Sequence, residues 1–132
     1  MSQVIDASVV IAALVDPGRL GRWAADAIRA GSLAAPHLLP VECAHALRRA
    51  ALTGKVAAET ASLAHAELLD LEVDLFPYVP LASRIWSLRA QVTPYDAWYV
   101  ALAESLDAVL VTLDRRLASA SEIRCSVRTV DP

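Results

Sequence analysis

The sequence predicts an α/β protein of three layers, in which helices cover both faces of a mostly parallel sheet. Short apolar runs rich in β-branched residues alternate along the chain with longer segments of helical spacing, and this alternation is typical of right-handed βαβ units. The chain has 132 residues, of which 56% are hydrophobic and 20% are charged. That length and composition predict one compact domain over residues 1–132.

The first half of the chain contains clear start and stop signals. Pro17 and Gly18 break the chain after a first apolar helix, Gly31 suits the end of a second helix, and Pro40 suits the first turn of a third. The predicted elements are a strand at residues 1–6, helices at 7–14 and 20–30, a strand at 32–35 and a helix at 40–52.

The second half of the chain repeats the alternation. Its apolar spacing predicts helices at 57–69 and 81–90, separated by a strand at 73–78. A further helix from Thr93 to residue 106, a β-branched strand at 108–112, a short helix and a strand at 128–130 complete the prediction.

Charge and cysteine content narrow the classes of function. The formal net charge is −3, which argues against a broadly basic surface that coats nucleic acid. Cys43 and Cys125 have no CxxC spacing, so a zinc knuckle or a disulfide scaffold is not expected. The apolar run at residues 7–15 is too short to span a bilayer and lacks a basic leader. We therefore expect a soluble cytoplasmic protein with no membrane partner.

Four acidic residues are placed where a parallel sheet binds its ligands. Asp6 and Asp114 each follow an apolar strand, and Glu42 and Asp96 each lie in the first turn of a helix. Ligands of such sheets bind outside the carboxyl ends of the strands. We therefore expect the four acids to meet at one edge of the sheet.

Each acid taken singly has an ordinary structural explanation. Acidic side chains are favoured at helix N-termini, where Asp6 could cap the first helix and Glu42 could interact with the helix dipole. Thr93 and Asp96 have the spacing of a capping box, and Asp114 could be a turn residue. Singly, these explanations are preferred.

The four acids together require a further explanation. Three of them are embedded in strongly apolar sequence, where a carboxylate needs compensation. Clustered carboxylates repel one another unless a cation shares the site, and hard oxygen ligands select Mg²⁺ or Mn²⁺. Such sites serve phosphoryl transfer, in which the ion activates water and stabilises charge on the phosphodiester. The set therefore indicates a metal-dependent phosphodiesterase.

Four segments of the chain resemble the successive motifs of PIN domains, at residues 4–8, 39–43, 95–104 and 111–114. The length resembles the VapC toxins of bacterial toxin–antitoxin pairs. This resemblance implies a three-layer α/β/α PIN fold and Mg²⁺- or Mn²⁺-dependent cleavage of RNA. It also implies a VapB-like antitoxin that wraps the enzyme, and the large apolar fraction suggests a homodimer as well.

The resemblance also implies roles for single residues. Asp6, Asp96 and Asp114 would be metal ligands, and Glu42 would act directly or through water. Thr112 matches a hydroxyl that orients the last acid or the attacking water, although a β-branched residue is also ordinary in a strand.

Other features have weaker functional interpretations. Glu42 and His45 have the spacing of a di-iron ligand pair, but a second such pair is absent from the sequence, so His45 is expected to be a packed or surface residue. Arg115 and Arg116 adjoin Asp114 and suit contacts to RNA phosphates. The three tryptophans, in contrast, are expected to pack in the core or at an interface: Trp23, Trp86 and Trp98.

Three alternative classes remain to be separated. A receiver-like signalling domain also gathers acids at a sheet edge, but needs a lysine after a late strand, and the only lysine is Lys55. A haloacid-dehalogenase-like phosphatase needs Asp-x-Asp after the first strand, where this chain has Asp6-Ala7-Ser8. A PIN-like module that only binds RNA or a partner would be expected to have lost acids, and all four remain.

Overall fold

The computed structural model describes residues 2–131. Met1, which belongs to the first predicted strand, and Pro132 lie outside the described residues. In chain order the elements are β1 Ser2–Ile5, α1 Ala7–Val15, α2 Arg19–Arg29, β2 Ser32–Pro36, α3 Leu39–Leu52, α4 Ala58–Asp70, β3 Val73–Phe76, a 3-10 turn Val79–Leu81, α5 Ala82–Ser87, α6 Pro94–Leu106, β4 Val109–Val111, α7 Arg115–Ala118 and β5 Val127–Arg128.

The five strands form one sheet in the order β3-β2-β1-β4-β5, and every neighbouring pair is parallel. β1 lies at the centre, where Val4 is paired with Ala34 of β2 on one side and with Leu110 of β4 on the other. Val4 and Ile5 are completely buried because helices cover both faces of the sheet. The predicted α/β fold of three layers is confirmed.

The strand order changes direction at β1. The chain passes from β1 to β2 and β3 on one side, and then crosses to β4 and β5 on the other. The carboxyl ends of β1 and β4 are adjacent, and the Asp6 amide donates to the Val111 carbonyl over 3.0 Å. A crevice at such a switch point is the usual ligand site of an open parallel sheet. The order also differs from the 2-1-3-4-5 order of receiver domains, which contradicts that alternative.

The helices form two groups. α1 packs against α2, α3 and α4, whereas α6 packs against β1, β2 and β4 and is contacted by α5. α6 is buried over much of its surface, including the run at residues 99–103. None of the helices within residues 2–131 has the length and apolar character needed to cross a membrane.

Three predicted elements differ from the structure by two or more residues at one end. β3 ends at Phe76 because Pro77 has no N–H for the sheet. The predicted helix at 81–90 is a 3-10 turn followed by the six-residue α5, and turns occupy the chain after Ser87. β5 covers Val127–Arg128 and not residues 128–130, because its register is set by hydrogen bonds to β4.

Candidate acidic site

Asp6 lies at the end of β1, and its carboxylate is held by two hydroxyl groups. Asp6 has the extended backbone of a helix N-cap, but its side chain makes no capping hydrogen bond to α1. Its Oδ2 atom accepts one hydrogen bond from Ser8 Oγ and one from Thr112 Oγ1, each over 2.7 Å. The explanation of Asp6 as an ordinary side-chain cap is therefore wrong.

The same hydroxyl groups join the end of β1 to the end of β4. Thr112 is completely buried, and its hydroxyl oxygen accepts from the Asp114 amide over 3.0 Å. Ser8 Oγ accepts from the Leu113 amide over 3.1 Å. Thr112 thus orients the side chain of one acid and the backbone of another, and the predicted orienting contact of this residue is present.

Glu42 reaches the site from the first turn of α3. Its Oε1 atom accepts a hydrogen bond from the hydroxyl of Tyr99 over 2.6 Å. The pKa of Glu42 is raised, first because the carboxyl is half-buried and then because Asp6 and Asp96 carry like charges, while the bond from Tyr99 acts to lower it. Glu42 is therefore close enough to Asp6 and Asp96 to interact with both.

Asp96 lies in the first turn of α6, which Thr93 caps. The Thr93 hydroxyl accepts from the Asp96 amide over 3.3 Å, so this half of the predicted capping box is present. Burial is the main cause of the raised pKa of Asp96, and the charges of Asp6 and Asp114 raise it further. A helix-capping role alone would not place Asp96 beside two other carboxylates.

Asp114 caps α7 and forms an ion pair with Arg116. Its Oδ1 atom accepts from the Arg116 amide over 3.0 Å, and the guanidinium binds both carboxylate oxygens, with Nε 3.1 Å from Oδ1 and Nη2 3.0 Å from Oδ2. The hydrogen bonds from Arg116 lower the pKa of Asp114. Asp114 thus has the ordinary structural role that the sequence also suggested, at the turn before α7. Its negative charge still raises the pKa of Asp96.

Asp6 and Asp114 lie at the adjacent carboxyl ends of β1 and β4, and the charges of the four predicted acids act on one another there. Asp6 interacts with Glu42 and Asp96, and Asp96 interacts with Asp114. Within residues 2–131, no group of three or more acidic, histidine or cysteine side chains is arranged to hold a metal ion. The donors fit a hard divalent cation by their chemistry, whereas their present arrangement is not a closed set of ligands.

The remaining predicted side chains lie on the surface or at the edge of the core. His45, Arg115 and Trp86 are exposed, and the Trp86 ring is covered by Arg89, whose guanidinium carbon is 4.7 Å from the ring centroid. Of the two predicted environments of Trp86, core packing is wrong, since α5 ends one residue later and Trp86 is 62% exposed, and packing at an interface stays a prediction. Trp23 and Trp98 do pack against the core.

Two residues that contact the acids, Ser8 and Tyr99, are not among the residues predicted from the sequence. Ser8 follows Asp6 by two residues, a spacing at which a hydroxyl can bond back to a carboxylate, so a local signal existed. Tyr99 contacts Glu42 across 57 positions of sequence. Only the packing of α6 against the rest of the fold brings these two side chains together.

The chain is similar to known proteins of one family. The PIN domain profile matches residues 4–123. Ribonuclease VapC1 of Mycobacterium tuberculosis is 41% identical over 128 residues, which cover 96% of each chain. VapC ribonuclease Mb0985 of Mycobacterium bovis is 40% identical over 127 residues, covering 96% of this chain and 97% of the relative.

Solved structures agree in fold. PAE2754 from Pyrobaculum aerophilum superposes with a TM-score of 0.73 at 27% identity, over 96% of this chain and 83% of that one. VapBC-5 from M. tuberculosis, described as a member of the VapBC family of toxin–antitoxin systems, gives a TM-score of 0.60 at 23% identity, over 98% and 97%. The chain therefore belongs to the PIN domain family, and within it to the VapC group.

Proposed function

We propose that this chain is the toxin of a VapBC-type pair, a cytoplasmic endoribonuclease that hydrolyses RNA phosphodiester bonds with Mg²⁺ or Mn²⁺, and that residues 1–132 act as one nuclease domain. The observation that carries the proposal is the meeting of Asp6, Glu42, Asp96 and Asp114 at the switch point of the sheet. The relatives named as VapC ribonucleases support it.

Asp6 and Asp96 are the principal ligands in this proposal, and Asp114 completes the set. The bound ion would supply an activated water and stabilise the charge that develops on the phosphate. Asp6 is suited to this task because Ser8 and Thr112 hold only Oδ2 and orient the carboxylate. Glu42 is assigned to the water, because Tyr99 fixes Oε1 while burial, and then the neighbouring acids, keep its pKa high.

Arg116 has two successive roles in the proposal. In the described arrangement its guanidinium neutralises Asp114. For Asp114 to bind a cation, Arg116 must leave it, and the Arg116 side chain, which is 89% exposed, is free to move toward solvent. Arginine forks bind phosphate oxygens well, so the released Arg116 and the adjacent Arg115 are assigned to the RNA backbone.

The proposal is tested by substitution of the two principal ligands. Asp6→Ala and Asp96→Ala should each abolish RNA cleavage by the purified protein and growth arrest on expression in a bacterium. Asp26→Ala is the matched control, because Asp26 is an exposed acid of α2 that forms an ion pair with Arg29 on the same helix. Cleavage retained by either of the first two variants would contradict the assignment.

The partners follow from the VapC group and are part of the same proposal. We expect a VapB-like antitoxin encoded beside this chain, and a homodimer of the chain itself. Exposed apolar residues on α3 and α4 are available for such contacts: Val41, Leu52, Leu63 and Leu69. The antitoxin is tested by coexpressing the neighbouring gene, which should restore growth, and the dimer by light scattering of the purified protein.

A further inference from the structure

Tyr99 is a buried residue whose side-chain hydroxyl contacts one of the four acids, Glu42. It lies on α6, three residues after Asp96, and is 1% exposed. Its ring is among the largest fully buried side chains of the core. Its hydroxyl donates to Glu42 Oε1 over 2.6 Å, a length typical of a strong bond to a charged acceptor.

The bond joins a rigid side chain to a mobile one. A tyrosine ring has two side-chain torsions, and close packing fixes both of them. Glu42 has three torsions, is only half-buried and is repelled by Asp6 and Asp96. Without the hydroxyl, the Glu42 carboxylate would be free to turn toward solvent and away from the other two acids.

We propose that Tyr99 is a positioning residue that holds the Glu42 carboxylate in the acidic site, in the orientation that the cleavage reaction uses. This inference rests on the proposed ribonuclease function. Tyr99 acts only through Glu42, because its hydroxyl donates its one hydrogen to Glu42 Oε1. The other carboxylate oxygen, Glu42 Oε2, is left for water. Packing sets the position of the ring, and the ring sets the position of the acid.

The bond also opposes the other influences on Glu42. Burial and the like charges of Asp6 and Asp96 raise the pKa of Glu42, and the hydrogen bond from Tyr99 lowers it. The contact therefore favours the ionised carboxylate at the place where its neighbours disfavour it.

The test is a double-mutant cycle on Tyr99 and Glu42. Steady-state kinetics are measured with a labelled oligoribonucleotide that carries the cleavage site of the wild-type protein, for the wild type, Tyr99→Phe, Glu42→Ala and the double variant. Tyr99→Phe should lower kcat about tenfold with KM unchanged, as expected for a lost hydrogen bond to a charged group. In the Glu42→Ala background the same change should have no further effect on kcat.

Two further measurements separate positioning from a general effect on folding. Tyr78→Phe is the matched control, because it removes a hydroxyl from an exposed tyrosine, and it should leave kcat unchanged. The side-chain carboxyl ¹³C resonance of Glu42 should shift in Tyr99→Phe and stay in place in Tyr78→Phe.

The outcomes distinguish this inference from the proposed function. A wild-type protein that cleaves no RNA contradicts the function, and the resonance of Glu42 then decides the positioning role. A wild-type kcat in Tyr99→Phe, or an equal loss in both backgrounds, would overturn the role of Tyr99 while leaving the nuclease assignment intact.

Discussion

The four acids differ in how the protein holds their charge. Asp6 is held by two hydroxyls, Glu42 by a buried phenol and Asp114 by an exposed guanidinium. Asp96 lies in the first turn of α6, at the N-terminal end of the helix dipole. Its carboxyl is half-buried, and its pKa is raised. Neutral donors orient a carboxylate without removing its charge, so Asp6 stays available to a cation and Glu42 to the attacking water.

Thr112→Val tests the hydroxyl that joins Asp6 to the end of β4. The change keeps the shape of the side chain but leaves two partly buried groups, the Asp6 carboxylate and the Asp114 amide, without this partner. We therefore expect a loss of about 1–3 kcal/mol in the free energy of unfolding. Urea unfolding measures it. Thr129→Val is the matched control: Thr129 Oγ1 is buried with no hydrogen-bond partner in the part of the chain that the structure describes. Equal losses in the two variants would contradict the role of Thr112.

Arg116→Ala tests the ion pair on Asp114. Arg116 lowers the pKa of Asp114 in the folded protein. The ion pair therefore stabilises the fold at pH values above the pKa of Asp114 in the unfolded chain, and this stabilisation is lost as the pH falls through the pKa of Asp114 in the folded protein. In Arg116→Ala the pKa of Asp114 should rise toward its ordinary value, as followed by carboxyl ¹³C NMR. Arg115→Ala should leave it in place, and the opposite ranking of the two variants would refute the pairing.

Sequence predicted the acids themselves better than their supporting contacts. Acids at strand ends and in first helical turns follow from local pattern, so Asp6, Glu42, Asp96 and Asp114 could be named before the fold was known. Asp114 and Arg116 are only two residues apart, but this spacing occurs in many turns in which the two side chains do not pair, so the ion pair could not be predicted from it. The contact of Tyr99 with Glu42 joins α6 to α3 across 57 positions of sequence, and no local pattern encodes it.

At the scale of elements, the corner between α1 and α2 depends on Gly21. A Cβ atom on Gly21 would lie 1.7 Å from the carbonyl oxygen of Asp16, a backbone atom that cannot turn away. Gly21→Ala should therefore lower the free energy of unfolding by about 1–3 kcal/mol or more. In the control Gly18→Ala the new Cβ meets only the Asp16 side chain at 3.1 Å, so the loss should be smaller. Calorimetric melting compares the two variants.

Elements with a strong period were predicted well, and short elements were not. The predicted bounds of the helix at 40–52 differ from those of α3 by one residue, because Pro40 marks the start of the helix and Gly54 follows its end. α5 and β5 have six and two residues, and their bounds are set by neighbours. Arg84 of α5 binds Glu104 of α6 and the Glu122 carbonyl, a tertiary contact that fixes the C-terminal segment beside α6.

For the whole molecule, the acidic site should reduce stability at neutral pH. The raised pKa of Asp96 means that the folded state disfavours its charge, so its favourable contribution to stability exists below the unfolded pKa and is lost as pH rises through the folded value. Asp96→Asn should therefore melt at a higher temperature than the wild type at pH 7, with the difference vanishing at acidic pH. Asp107→Asn is the matched control, since Asn tolerates its left-handed conformation. An Asp96→Asn variant that melts below the wild type at pH 7 would contradict the unfavourable effect of the Asp96 charge on stability.

The fold class was predictable from the alternation of strands and helices, whereas the strand order was not. Local periodicity shows that a strand and a helix follow one another, but not on which side of β1 the next strand is added. That choice places the ends of β1 and β4 side by side, and so brings the segments of Asp6 and Asp114 together. The site is therefore a property of the topology as much as of its residues.

The most direct test of the metal-dependent nuclease assignment is the rate of RNA cleavage as a function of Mn²⁺ concentration, for the wild type, Asp96→Asn and Asp107→Asn. Asp107 is an exposed acid that precedes β4, at the opposite end of that strand from Asp114. We expect cleavage by the wild type and Asp107→Asn to rise from zero to saturation as Mn²⁺ is added, and no cleavage by Asp96→Asn at any concentration. Cleavage without a divalent ion, or an Asp96→Asn curve that matches the wild type, would contradict the proposed metal site.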